Sequence, residues 1–212
     1  MKLHYIGIAL MSAALLMSCG GKSDEEKAQE AAKKIADDAK VSVSDAMGAV
    51  QAMAKQAEES QKNGPVETVD FRALKELLPD NADGLARQSA TGEKTGAMGF
   101  KISTANAKYA NTDNSERIEL SIVDAGGTGV MMGLAAWSMI DVDKETENGY
   151  EKTGKMGDYK SYEKYDNSGK DGEIAVMIQN RFVVTAKGQG VSMDKIKTAL
   201  EDIDLNKLAD MK

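Results

Sequence analysis

Apolar positions along the chain fall into three regimes. Ile6 to Met17 is a run of apolar and small residues without a charge, Ile-Gly-Ile-Ala-Leu-Met-Ser-Ala-Ala-Leu-Leu-Met. A thin stripe follows, Ile35, Ala39, Val43, Ala46, Val50, Met53 and Ala57, spaced mostly three or four apart as on one face of a helix. Beyond residue 85 the period drops to two. Phe100, Ile102 and Thr104, then Ile118, Leu120 and Ile122, alternate with polar residues, the pattern of half-buried strands.

Around those strands the sequence predicts further elements. Asp70 to Leu78 is a short helix with Phe71, Leu74, Leu77 and Leu78 on one face, and Pro79-Asp80 stops it. Leu85 to Thr91 is an edge strand. The strand from Phe100 leads on to Tyr109, and Asn111 to Asn114 is a turn. Ala125-Gly126-Gly127 breaks the strand of Ile118 to Ile122. Thr128 to Met139 then reads as a helix, with Val130, Met131, Leu134, Ala135 and Trp137 available for packing.

Gly149 to Gly190 reads as a four-stranded meander. Gly157-Asp158 suits a two-residue type II′ turn, and that register sets Tyr150 against Tyr165, Lys152 against Glu163 and Met156 against Tyr159 on one face. On the other it sets Glu151 against Lys164 and Thr153 against Tyr162. Ile174 to Ile178 and Phe182 to Val184 are continuously apolar, so they read as central strands covered on both faces, joined by a tight turn at Asn180. Ser192 caps a closing helix with Ile196, Leu200 and Ile203 inward, and Asp204 caps a last turn through Leu208. The order predicts an α+β fold: an antiparallel sheet of about six strands packed by helices on both faces. In element order alone it resembles the PsbP/Mog1-type sandwich of exported proteins, which transfers no functional residue.

The apolar run at Ile6 to Met17 is too short to cross a bilayer, which takes about 20 residues. Behind Met1-Lys2-Leu3-His4-Tyr5 it suits a signal-peptide core. Leu16-Met17-Ser18-Cys19 then resembles the lipobox of bacterial lipoproteins: an aliphatic residue, a variable one, a small one and the cysteine. The resemblance implies that Leu16 and Ser18 are read by the signal peptidase, and that the Cys19 thiol becomes a thioether to diacylglycerol. Cys19 is the only cysteine, so no intramolecular disulfide competes for it. One acyl chain holds a protein only marginally, whereas several hold it stably. The partner implied is therefore a membrane, reached through lipid on Cys19. Gly20 is not the Asp that often marks inner-membrane retention in such proteins, which points to the outer membrane. Gly21-Lys22-Ser23-Asp24-Glu25-Glu26 is similar to a surface-export signal of some Gram-negative lipoproteins, so the periplasmic face and the cell surface both stay open. The region from Leu77-Leu78-Pro79 to the C-terminus resembles a family of uncharacterised bacterial lipoproteins, which implies no activity.

Three segments follow: a signal peptide over 1–18, a lipidated tether and helical stalk over 19–64, and an α+β domain over 65–212. The stalk has Ser23 as its cap, acids in its first turn, and Asn63-Gly64-Pro65 as its end. Its seam is mostly alanine and buries little area, which favours a spacer over a partner-binding coiled coil.

Composition is that of a folded soluble domain, 42% hydrophobic and 29% charged. Loss of residues 1–18 removes Lys2 and no acid, which takes the formal charge from −7 to −8. So acidic a chain repels phosphate backbones, and no nucleic-acid partner is expected. His4 is the only histidine and leaves with the signal peptide. The mature chain then has no His and no free Cys, which excludes Ser-His-Asp and Cys-His catalysis and Cys/His zinc sites. We expect no enzyme, no cofactor and no metal.

Three motifs that invite a sharper reading are better read as structure. Gly126-Gly127-Thr128-Gly129 lacks the Lys-Ser/Thr of a phosphate loop. Asp166 to Glu173 is acidic and Gly-rich, but Lys170 stands where a calcium loop needs an oxygen ligand. Asp141, Asp143, Glu145 and Glu147 alternate as an exposed strand edge would. The ten methionines left after Met1, Met11 and Met17 show no repeated Met-x-x-Met pattern and read as core filler.

One surface idea remains. The hairpin register places Tyr162 on a face with Lys155, Lys160 and Lys164, where it could contact an anionic or glycan ligand. The function expected is a lipid-anchored, non-enzymatic binding or structural module with an envelope protein or glycan partner. The alternative is a carrier of a small hydrophobic ligand, favoured by a large apolar pocket against Val130 to Met139. A hydrolase working through carboxylates comes third.

Overall fold

The computed structural model describes residues 67–97, 100–126, 138 and 141–211. The signal peptide, Leu16, Ser18, Cys19 and the stalk lie outside the described residues, as does the helix expected over Thr128 to Met139 save for Ser138.

The described elements are α1 (Phe71–Glu76), β1 (Asn81–Ala82), β2 (Leu85–Ala97), β3 (Phe100–Ala110), β4 (Arg117–Asp124), β5 (Asp143–Thr146), β6 (Gly149–Met156), β7 (Tyr159–Asp166), β8 (Asp171–Ile178), β9 (Phe182–Gln189), α2 (Met193–Glu201) and α3 (Leu205–Ala209). The nine strands form one antiparallel sheet in the order β1-β2-β3-β4-β9-β8-β7-β6-β5. Two meanders build it, β1–β4 and β5–β9. They join where β4 runs against β9, from Arg117 opposite Gln189 to Asp124 opposite Phe182.

The α+β class holds, but there are nine described strands rather than about six. Seven of the nine match strands read from the sequence, β5 falls in the run Asp141 to Glu147 that reads as an exposed strand edge, and β1 is additional. β1 is two residues long, and all four residues of β5 are exposed, so neither shows the alternation that marks a half-buried strand. β2 is also longer than expected. Its start pairs with β1 through Ala82 and Leu85, and the rest, to Ala97, pairs only with β3.

The expected turns and caps are present. Gly157 has φ +58, as the first residue of a type II′ turn requires. Gln179 and Asn180 take φ +49 and +51 in the β8–β9 turn. Asp70, Ser192 and Asp204 each accept a backbone N–H at the start of α1, α2 and α3, satisfying donors that a helix start leaves open.

One face of the sheet and the three described helices enclose the core. Leu74 and Leu78 from the α1 region, Tyr109 from β3, Leu120 and Ile122 from β4, and Phe182 and Val184 from β9 meet Ile196, Leu200, Ile203 and Leu208 there. α1 lies on β2 and β3, and α2 lies on β9, β8 and β4. Gly172 and Gly188 face each other across β8 and β9. A Cβ on Gly188 would stand 2.5 Å from Ile196 Cγ1, so the glycine pair is the slot that lets α2 lie close to the sheet. The two-sided burial of the central strands is also present: Ala175, Met177 and Val183, on the face away from this core, are buried.

Candidate functional site

The β6–β7 hairpin has the register its sequence implies. Tyr150 is opposite Tyr165, Lys152 opposite Glu163, Glu151 opposite Lys164, Thr153 opposite Tyr162 and Met156 opposite Tyr159. Glu163 and Ser161 are buried on the core side. Tyr162, Lys155, Lys160 and Lys164 therefore share the outer face.

The structure also brings acids to that face. Register places Lys144, Glu151, Lys164, Glu173, Lys187, Glu119 and Lys108 side by side on β5, β6, β7, β8, β9, β4 and β3. The row alternates in sign across seven strands. Its closest contact is Lys187 Nζ to Glu173 Oε2 at 3.4 Å. Lys164 stands between Glu151 and Glu173, and Lys160 Nζ lies 3.3 Å from Asp141 Oδ1. Lys155 is exposed opposite Lys160. Of the lysines expected to make a cationic patch, Lys164 is flanked in register by two carboxylates and Lys160 meets Asp141, while Lys155 faces Lys160.

Tyr162 is half-buried, and its hydroxyl donates to Glu151 Oε1 at 2.9 Å. Burial, this hydrogen bond and the Glu151 charge all push its pKa upward. The phenol stays protonated and aims along the sheet at a carboxylate. An open trough of about 560 Å³ runs beside it over Glu151, Lys164, Glu173 and Lys187. It continues past Lys187 and Gln189 to Arg117 and Glu119 as a second cleft of about 410 Å³. This surface offers donors and acceptors of both signs and no concentrated charge.

Two polar clusters escaped sequence reasoning. Glu163 Oε2 lies 3.0 Å from Lys197 Nζ and 3.6 Å from Lys152 Nζ, and accepts the Tyr150 hydroxyl at 3.3 Å. Burial, then the Glu163 charge, push Tyr150 up to about 12. Ser161, two residues earlier on the same face, has a buried Oγ without a hydrogen-bond partner. Among the described residues no base is hydrogen-bonded to it, as activation of a serine nucleophile requires. The Lys152–Glu163 register pair was the available signal; the contribution of Lys197 from α2 is tertiary.

The second cluster centres on Asp124, which is fully buried. It accepts Val69 N and Arg181 Nη2 on Oδ2, both at 2.8 Å, and Gly126 N at 2.8 Å and Arg181 Nε at 3.0 Å on Oδ1. The N–H of Gly126 is therefore committed within the fold and does not face a phosphate. In the same way Asp166 Oδ1 accepts Ser168 N at 2.7 Å and Gly169 N at 3.1 Å. Those backbone hydrogen bonds hold its carboxyl below the ordinary range, and the acidic loop is a hydrogen-bonded hairpin turn.

Among the described residues, no group of three or more His, Cys, Asp or Glu side chains is placed to hold a metal ion. Among them too, no helix is long and apolar enough to cross a membrane. No family model, no curated protein and no solved structure matches the chain.

Proposed function

We propose that the chain is a lipoprotein of the cell envelope, held in the outer membrane by lipid on Cys19, and that its α+β domain is a non-enzymatic binding or structural module. The observation that carries this reading is Leu16-Met17-Ser18-Cys19 directly behind the uncharged run Ile6 to Met17, with no second cysteine in the chain. Gly20 in place of an aspartate supports the outer membrane as destination. The wide polar outer face of the sheet supports a module that meets partners from solution or a glycan surface, and favours it over the carrier. The clefts over that face are open and lined by both charge signs, which suits a polar partner better than an apolar ligand.

Fractionation tests the anchor. The wild-type chain should sediment with outer membrane, and Cys19→Ala should release it or leave the precursor uncut. Equal sedimentation of both, in processed form, with outer membrane would contradict the proposal. Protease shaving of whole cells then decides the face: degradation places the domain at the surface, and protection places it in the periplasm.

A further inference from the structure

A groove of about 660 Å³ separates the β6–β7 turn from the α2–α3 corner. Met156, Tyr159 and Leu205 line it, half-buried: they pack on the core from below and keep part of their surface in solvent. The core is left open along this edge. Every charged residue that lines the groove is an acid: Asp158, Glu201, Asp202 and Asp204. Several acids elsewhere on the domain meet cations, as Glu67 meets Lys94 and Lys101, Asp124 meets Arg181, Glu116 meets Lys195 and Glu163 meets Lys197. Among the described residues none of the four groove carboxylates is in an ion pair. Asp204 caps α3 through one oxygen, and Asp202 accepts Asp83 N at 3.4 Å. Asp158 and Glu201 are exposed.

We infer that this groove docks a cationic peptide segment of another protein, one that carries apolar side chains. The apolar floor needs apolar side chains to cover it, and the unanswered rim needs positive charge. A bare polyamine would use the rim alone, and an anionic lipid would be repelled by it. A short peptide with alternating basic and apolar residues meets both. The inference rests on reading the domain as a binding module and does not depend on the lipid anchor.

The test uses the purified full chain in neutral phosphatidylcholine nanodiscs, with protein-free nanodiscs as blank. The probe is a fluorescein-labelled Lys-Leu-Lys-Leu-Lys-Leu peptide read by fluorescence polarisation. The wild type should bind it, bind an all-lysine hexapeptide more weakly, and not bind Glu-Leu-Glu-Leu-Glu-Leu. Asp158→Asn with Glu201→Gln, whose side chains make no hydrogen bond or ion pair among the described residues, should weaken binding by about five-fold, the size expected for two exposed charges, with an unchanged thermal midpoint. No binding by the wild type, equal binding of the all-lysine peptide, or unchanged affinity in the variant would each overturn the inference. Loss of peptide binding while Cys19 remains acylated would remove this inference alone.

Discussion

The Asp124 carboxylate accepts hydrogen bonds from Val69, Gly126 and the Arg181 guanidinium with no exposure to solvent. Removing one member of such a buried pair leaves an unmatched charge, which costs more than the pair itself contributes. Asp124→Asn should therefore lower stability by about 3–5 kcal/mol, measured by urea unfolding. Lys187→Gln removes a cation from an exposed pair with Glu173 and should change stability by under about 1 kcal/mol. Equal effects for the two would contradict this placement of Asp124. Gly188→Ala belongs with Asp124, because its Cβ would meet Ile196 Cγ1 at 2.5 Å. Overpacking there should cost about 1–3 kcal/mol, and Ile196→Val in the same chain, which removes the Cδ1 that would stand 2.6 Å from the new Cβ, should recover part of it. Neither Asp124 nor Gly188 stands out in the sequence. Asp124 ends an alternating strand as an ordinary breaker would, and the contacts that bury it come from residues 55 and 57 positions away.

The segment leading into α1 is fastened to the sheet by side chains. Lys94 and Lys101, from β2 and β3, reach the two oxygens of Glu67 at 2.6 Å each, and Thr68 Oγ1 lies 3.1 Å from Ser103 Oγ. Hydrogen bonds to Lys101 and Lys94 lower the Glu67 pKa from 4.5 to about 2. A folded pKa below the unfolded one gives stability that is complete above the unfolded value and is lost as pH falls through the folded one. The window is thus pH 4.5 down to about 2. Lys94→Met with Lys101→Met should flatten the acid limb of the stability curve there, as read by thermal midpoints at stepped pH. An unchanged slope would refute the coupling.

The strands illustrate which signals a sequence carries. Gly157-Asp158 fixed a register, and Glu151, Lys164, Thr153 and Tyr162 could be paired from it because a one-residue slip would turn Ser161 and Glu163 outward. The alternating row from Lys144 to Lys108 was not legible, since it needs the β4–β9 junction, which joins residues about 70 apart in the chain. Once formed, the row favours the native register, because a slipped pairing loses its opposite-charge neighbours. β1 was missed because two residues carry no burial pattern, whereas β5 lies in the run Asp141 to Glu147 whose alternating acids read as an exposed strand edge.

For the whole molecule, the described domain is a sheet with its main core on one face and, on the other, a polar row beside the buried Ala175, Met177 and Val183, and the lone cysteine sits far upstream behind an uncharged run. The proposed function links the two: a folded module at the end of a tether. The proposed site of attachment is read from a local motif. The proposed docking groove has no such local signal, because the charge balance around Tyr162 and the acidic groove at Asp158 and Glu201 are assembled from distant segments. The surface prediction follows from that geometry. Tyr162→Phe should leave stability within about 1 kcal/mol of wild type, the worth of one half-exposed hydrogen bond, and a glycan array would show whether the hydroxyl contributes to binding. If wild type binds no glycan, that ligand class is removed.

Intact-mass and peptide spectrometry of the native N-terminus tests the central proposal most directly. The account predicts a chain that begins at Cys19, lacks Met1 to Ser18, and carries the mass of diacylglycerol on sulfur with further acylation at the new amino end. A chain that keeps Met1 to Ser18, or that begins at Cys19 with an unmodified thiol, would contradict it.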